Sequence, residues 1–324
     1  MTSRKYLQII FCGTILLLCF SFAVVRQLPE MMYFDEEYPA WLQQKDYVNS
    51  YGEKSEILFL GDSALKAGII PQFISDNSYN LALGGAGPIE MYYTLEHYLE
   101  NHPRPEKIFI SISPMHFNYL KRYYDRTLYF HYLNETEQIE SQENIFRLDG
   151  TEFLERMKLT AENKLFNLRF PTQYYHTIKN SLLLREPSNE KIYENVKTER
   201  GHQFFGLNPE WLKTYEPHEQ LTTNIHLRPS LKFYMSKILE LCKKNDVQVF
   251  MIQTPINSTT YATASQYEYF EPYQKYLSEL SAETGVPIET ELVFYEESLF
   301  GDALHLNYYG AKKFTAQIKQ KYDL

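Results

Sequence analysis

A three-layer α/β fold on a doubly wound parallel sheet is what this 324-residue sequence predicts, and three observations carry it. Short apolar runs at 57–60, 78–83, 107–113 and 247–252 stop at glycine, serine or proline turns, as buried parallel strands do. Stretches with apolar residues at helical spacing lie between them. The alternation of strand and helix has the lengths that right-handed crossovers need.

Taken in order, the chain opens with an apolar segment. Residues 6–25 (YLQIIFCGTILLLCFSFAVV) are almost uninterrupted apolar. A helix of about 20 residues spans the roughly 30 Å hydrocarbon core of a bilayer. Arg4 and Lys5 precede the run and only Arg26 follows closely. The charge bias places residues 1–5 in the cytoplasm and the rest outside a single-pass anchor. A cleaved signal peptide is the rival, with Ser21-Phe22-Ala23 as the cut, but the length of the run favours an anchor. Residues 26–54 read as a juxtamembrane linker lying over a domain at 55–324.

The first strand, 57–60, ends in Gly61-Asp62-Ser63. A serine at the carboxyl end of a first parallel strand, with a helix behind it, sits where open α/β sheets hold ligands. Asp62 reads as a turn and capping residue. A short helix with Pro71 in its first turn follows, then the second strand, closed by Gly84-Gly85-Ala86-Gly87-Pro88. Pro88 opens a helix to about residue 101, and the third strand ends in Ser113-Pro114. The pattern breaks at 116–224, an aromatic and charged insertion with a helical pair at 150–168 and 172–185 and a polar stretch from 186 to 206. Alternation resumes with a helix at 229–244, the strand at 247–252, a helix at 265–284, the segment 286–288 and a last helix at 308–321.

Ahead of that last helix stands Gly301-Asp302-Ala303-Leu304-His305-Leu306-Asn307. An aspartate three residues before a histidine can fix the imidazole tautomer, and the histidine can take a serine proton. Ser63, His305 and Asp302 thus supply a nucleophile, a base and an orienting carboxylate. Asn307 reads as a loop-securing residue.

Composition sets outer bounds. Hydrophobic residues at 44% with 16% aromatics suffice for a sizeable core, and a net charge of −9 without a Lys/Arg stripe excludes nucleic acid as partner. Cys12 and Cys19 lie in the apolar segment, leaving Cys242 alone in the domain as a buried packing residue without a disulfide. The remaining histidines (97, 102, 131, 176, 202, 218, 226) show no pair at ligand spacing, so no metal or other cofactor is expected.

Together, Gly61-Asp62-Ser63, the stretch from Asn80 through Gly85, and Asp302-x-x-His305-Leu-Asn-x-x-Gly310 resemble the SGNH, or GDSL-like, hydrolase superfamily. The resemblance implies a flavodoxin-like fold with catalytic Ser63, His305 and Asp302. It also implies an oxyanion hole of the Ser63 and Gly85 N–H groups and a third donor after strand three. There the family's Gly-x-Asn-Asp is replaced by Ser113-Pro114-Met115-His116, and His116 or Asn118 could stand in. Loss of one oxyanion donor costs about 100- to 1000-fold in turnover.

A membrane anchor, a Ser-Pro pair and a long insertion look similar to a subset of the superfamily in bacterial cell-envelope glycan modification. That subset works beside a membrane-bound O-acyltransferase. The resulting expectation is extracytoplasmic acyl transfer to a polysaccharide hydroxyl through a Ser63 acyl-enzyme. A plain esterase or deacetylase would use the same residues with water as acceptor. A non-catalytic scaffold partnering a membrane acyltransferase is the reading from another class, motivated by the altered third loop. Tyr123-Tyr124 and Phe204-Phe205 could line a sugar groove or fill the insertion's own core.

Overall fold

The computed structural model describes residues 3–52, 54–206, 225–259 and 270–324. Strands β1 (Ile57–Gly61), β2 (Ser78–Asn80), β3 (Lys107–Ser111) and β4 (Gln248–Met251) form one parallel sheet in the order β2-β1-β3-β4. Ile57 lies opposite both Ser78 and Lys107, and Lys107 opposite Gln248. Ile288 extends the sheet beyond β4 by a parallel bridge to Met251. The second apolar run is shorter as a strand than expected. Its extension nevertheless keeps the ladder, since Leu81 and Leu83 donate to the Phe59 and Gly61 carbonyls at 2.7 and 3.0 Å.

Alternation along the strands sorts side chains to two faces. Leu58, Leu60, Ile108, Ile110, Val249 and Met251 share one core with helices α2 (Tyr38–Asn49) and α4 (Pro88–Asn101) and two later ones. Those are α9 (Pro229–Lys244) and α10 (Glu271–Thr284). Phe59 and Phe109 point the other way, into a core with Leu65 of α3 (Ser63–Gly68) and Ala311, Phe314 and Ile318 of α11 (Tyr308–Lys321). Phe59, Phe109 and Phe250 stack across three neighbouring strands with centroids 5.3 and 5.2 Å apart. Helices therefore cover both faces, which is why the two central strands, β1 and β3, read as apolar runs rather than as alternating ones. A second, two-stranded parallel pair joins β5 (Ile256–Asn257) to β6 (Phe294–Tyr295).

The apolar N-terminal segment is a single helix, α1 (Ser3–Gln27), long and apolar enough to span a membrane or to be a signal sequence. Residues 26–54 are more than a linker. Tyr38, Trp41 and Val48 of α2 are buried in the main core, and Gln44 donates to the Asn80 carbonyl at 2.8 Å.

The insertion is helical as expected but richer. Besides α6 (Phe153–Asn167) and α7 (Pro171–Ser181), it carries α5 (Glu135–Leu148) and α8 (Glu186–Thr198). A reciprocal Asn134–Glu137 capping box starts α5. In α8 only Asn189 and Val196 are buried, so its sequence shows almost no apolar face. The insertion's last part, 207–224, and the start of the helix expected at 265 lie outside the described residues.

Candidate active site

β1 delivers Asp62 and Ser63 to the carboxyl edge of the sheet. Asp62 is the N-cap of α3, accepting from Ala64 N at 3.0 Å through Oδ1 and from Ser113 N at 2.7 Å through Oδ2. Its carboxylate thus caps one helix and ties the turn after β1 to the loop after β3. Ser63 is the first helical residue, set on this fixed turn.

The glycine loop after β2 comes alongside. Gly85 has φ +78°, and a Cβ there would lie 3.2 Å from Arg126 Nη1 and 3.3 Å from Arg122 Cγ. Only glycine satisfies both the backbone and the approach of those side chains. Arg126 sits in a π-helical turn, Tyr123–Leu128, preceded by Arg122.

From the far end of the chain comes the third wall. His305 Nδ1 lies 2.7 Å from Asp302 Oδ2, and Asp302 Oδ1 accepts from the backbone N–H groups of Leu304 and His305 at 2.8 and 2.7 Å. Burial alone would raise the Asp302 pKa, but the His305 hydrogen bond and charge with the backbone donors hold it below the ordinary carboxylate value. Phe205 stacks on the imidazole with centroids 4.2 Å apart and an interplanar angle of 11°. His305 Nε2 is shielded from solvent and has no hydrogen-bond partner among the described residues. Asn307 caps α11, accepting from Tyr309 and Gly310 N–H groups while its amide donates to Ser298 and Phe300 carbonyls.

These walls enclose one cavity of about 220 Å³ on which Ser63, Gly85, His116, Arg122, Arg126 and His305 all lie. Gln253, Thr254 and Asn257, after β4, also line it. Asp302 stands behind His305. His116 lies with Nε2 3.6 Å from Asp62 Oδ2. Burial lowers its pKa, helped by Arg122, Arg126 and His305 and opposed by Asp62, so the neutral imidazole is favoured. Asn118, the other stand-in considered for the third donor, is not among the lining residues, and its carbonyl accepts from Arg228 Nε at 2.8 Å.

Sequence reasoning missed a group of charges behind the glycine loop. Glu37, from the stretch read as a linker, places Oε2 3.5 Å from Lys66 Nζ and 3.3 Å from Arg126 Nη1. Lys66 is 1% exposed. Burial alone would raise the Glu37 pKa, but Lys66, Arg126 and His305 hold it below the ordinary value. Burial lowers that of Lys66 against the pull of Glu37. The four-residue spacing of Arg122 and Arg126 was visible in the sequence, but nothing local linked it to Glu37. Of the aromatic pairs, Tyr123 is buried in the main core with its hydroxyl 2.6 Å from Ser141 Oγ, whereas Phe205 stacks on His305.

A family model that carries no functional description matches residues 206–322, less than half of the chain but including Asp302 and His305. No curated protein matches the sequence.

Proposed function

We propose that this protein is a membrane-tethered serine acyl-transfer enzyme of the SGNH type, moving an acyl group onto a hydroxyl of a cell-envelope polysaccharide. The observation that carries the reading is the convergence of Ser63, Gly85 and His305 on one cavity, with Asp302 2.7 Å behind the imidazole. The sheet order β2-β1-β3-β4, extended by Ile288, agrees with a flavodoxin-like arrangement, which places ligands at the carboxyl ends of its strands.

In this reading Ser63 Oγ attacks the acyl carbonyl and passes its proton to His305 Nε2, while Asp302 holds the opposite ring nitrogen. The oxyanion accepts hydrogen bonds from the Ser63 and Gly85 N–H groups. The leaving alcohol takes the proton back from Nε2, and the acyl group stays on Ser63. A glycan hydroxyl then loses its proton to Nε2 and attacks the ester, regenerating the serine. His116 lines the same cavity from the loop after β3, and in this reading it stands in for the missing asparagine donor. The α1 anchor keeps the domain where a membrane-bound O-acyltransferase would hand over activated acyl groups.

The test is product analysis. The full-length protein is incubated with an aryl acetate and an envelope glycan, and the glycan is examined for new esters. Acetylated glycan is expected. Free acetate alone would replace the transferase by an esterase, and no turnover with either acceptor would favour a scaffold.

A further inference from the structure

We propose that the cavity binds an anionic group of the substrate, a phosphate or a carboxylate, on Arg122 and Arg126 beside Ser63. The inference rests on the acyl-transfer reading, since it names a feature of that reaction's substrate.

Three cations crowd the glycine loop, and Glu37 ion-pairs with two of them, Lys66 and Arg126. Arg126 is pinned, donating to the Gly84 carbonyl at 2.5 Å and pairing with Glu37 at 3.3 Å. Glu37 is also the ion-pair partner of buried Lys66. Arg122 lines the same cavity and has no hydrogen bond or ion pair among the described residues. The neighbouring carboxylates are engaged elsewhere. Asp62 accepts from the Ala64 and Ser113 backbones, Asp302 serves His305, Asp35 accepts from the Glu37 N–H at 3.1 Å, and Asp125 pairs with Lys121 at 2.5 Å.

Partly desolvated cations in excess of their partners favour an anion at that wall. The guanidinium fork matches phosphate and carboxylate oxygens in two-point contacts. Burial, joined by Arg126, lowers the Arg122 pKa against the opposing pull of Asp125, Glu37 and Asp35. The missing Cβ at Gly85 makes room for the Arg122 stem and the Arg126 guanidinium. A substrate held there by its anionic group would lie across the loop that faces Ser63.

The experiment is calorimetric titration of the full-length protein in detergent micelles at fixed ionic strength, with inorganic phosphate and separately with succinate. Wild type and Ser63→Ala should bind at least one anion saturably, with Kd on the order of millimolar. Arg122→Gln should weaken this about tenfold or more, and Arg122→Lys should restore part of it. Tighter phosphate binding points to a phosphate-bearing substrate, and tighter succinate binding to a carboxylate. Absence of saturable binding by folded wild type, or unchanged affinity in Arg122→Gln, would overturn the proposal. Fluorophosphonate labelling of Ser63 on the same wild-type sample separates the two ideas. Binding without labelling removes the acyl-enzyme reading and keeps the anion site, and labelling without binding does the reverse.

Discussion

The Nδ1 of His305 lies 2.7 Å from Oδ2 of Asp302, while Nε2 of the same ring is left without a hydrogen-bond partner among the described residues. One nitrogen is fixed and the other is free to exchange a proton. The backbone N–H groups of Leu304 and His305 hold the other carboxylate oxygen, so the pair is set by three bonds within four residues.

Asp302→Asn should therefore lower ester turnover about ten-thousandfold while leaving the fold intact, because an amide can stabilise the wrong tautomer. Initial rates on an aryl acetate, compared with circular dichroism of the same sample, check this. Full activity in the variant would show that Asp302 does not orient the base.

Glu37 neutralises buried Lys66 and partly buried Arg126 at once. Removing one member of a buried pair leaves an uncompensated charge, so Glu37→Gln should destabilise the domain by about 3 kcal/mol. Adding Lys66→Met should recover much of the loss. Denaturant unfolding of both variants measures the difference, and equal losses would mean that the two residues are not coupled.

A pH dependence is expected far from the cavity. His97 Nε2 lies 2.6 Å from Glu137 Oε1. Burial alone would lower the histidine pKa, but Glu137 raises it above 6.5. Burial alone would raise the Glu137 pKa, but His97, the Asn134 N–H and Lys45 hold it below 4.5. The histidine's part of the stability is full below pH 6.5 and is lost as pH rises through its raised folded value. The glutamate's part is full above pH 4.5 and is lost as pH falls through its lowered value. The pair should contribute most between those limits, about 1 kcal/mol. Thermal unfolding of wild type and His97→Gln across pH 4–9 should show the largest gap there, and a gap that widens at alkaline pH would contradict the assignment.

The residues to which the proposed chemistry is assigned could be placed where local sequence determines their position. Ser63 follows an apolar strand, and Asp302 and His305 are three residues apart on one loop, so neither statement needs long-range packing. Both sheet faces are covered by helices, which made the strands plain and their order a matter of topology rules. Helix α8 was invisible because only two of its residues are buried, and polar composition then reads as loop. Glu37 from the start of α2, Lys66 from α3, and Arg122 with Arg126 from the π-helical turn meet only through packing against Gly84 and Gly85. No spacing rule connects the arginine pair to Glu37 or Lys66, so that part of the site could be read only from the folded chain.

The most direct test of the central claim is mass spectrometry of the full-length protein after exposure to a fluorophosphonate, with Ser63→Ala alongside. A single adduct on the peptide containing Ser63, absent from the variant, is the expected result. Folded wild-type protein that takes up no label, in micelles and in native membranes alike, would contradict Ser63 as the nucleophile.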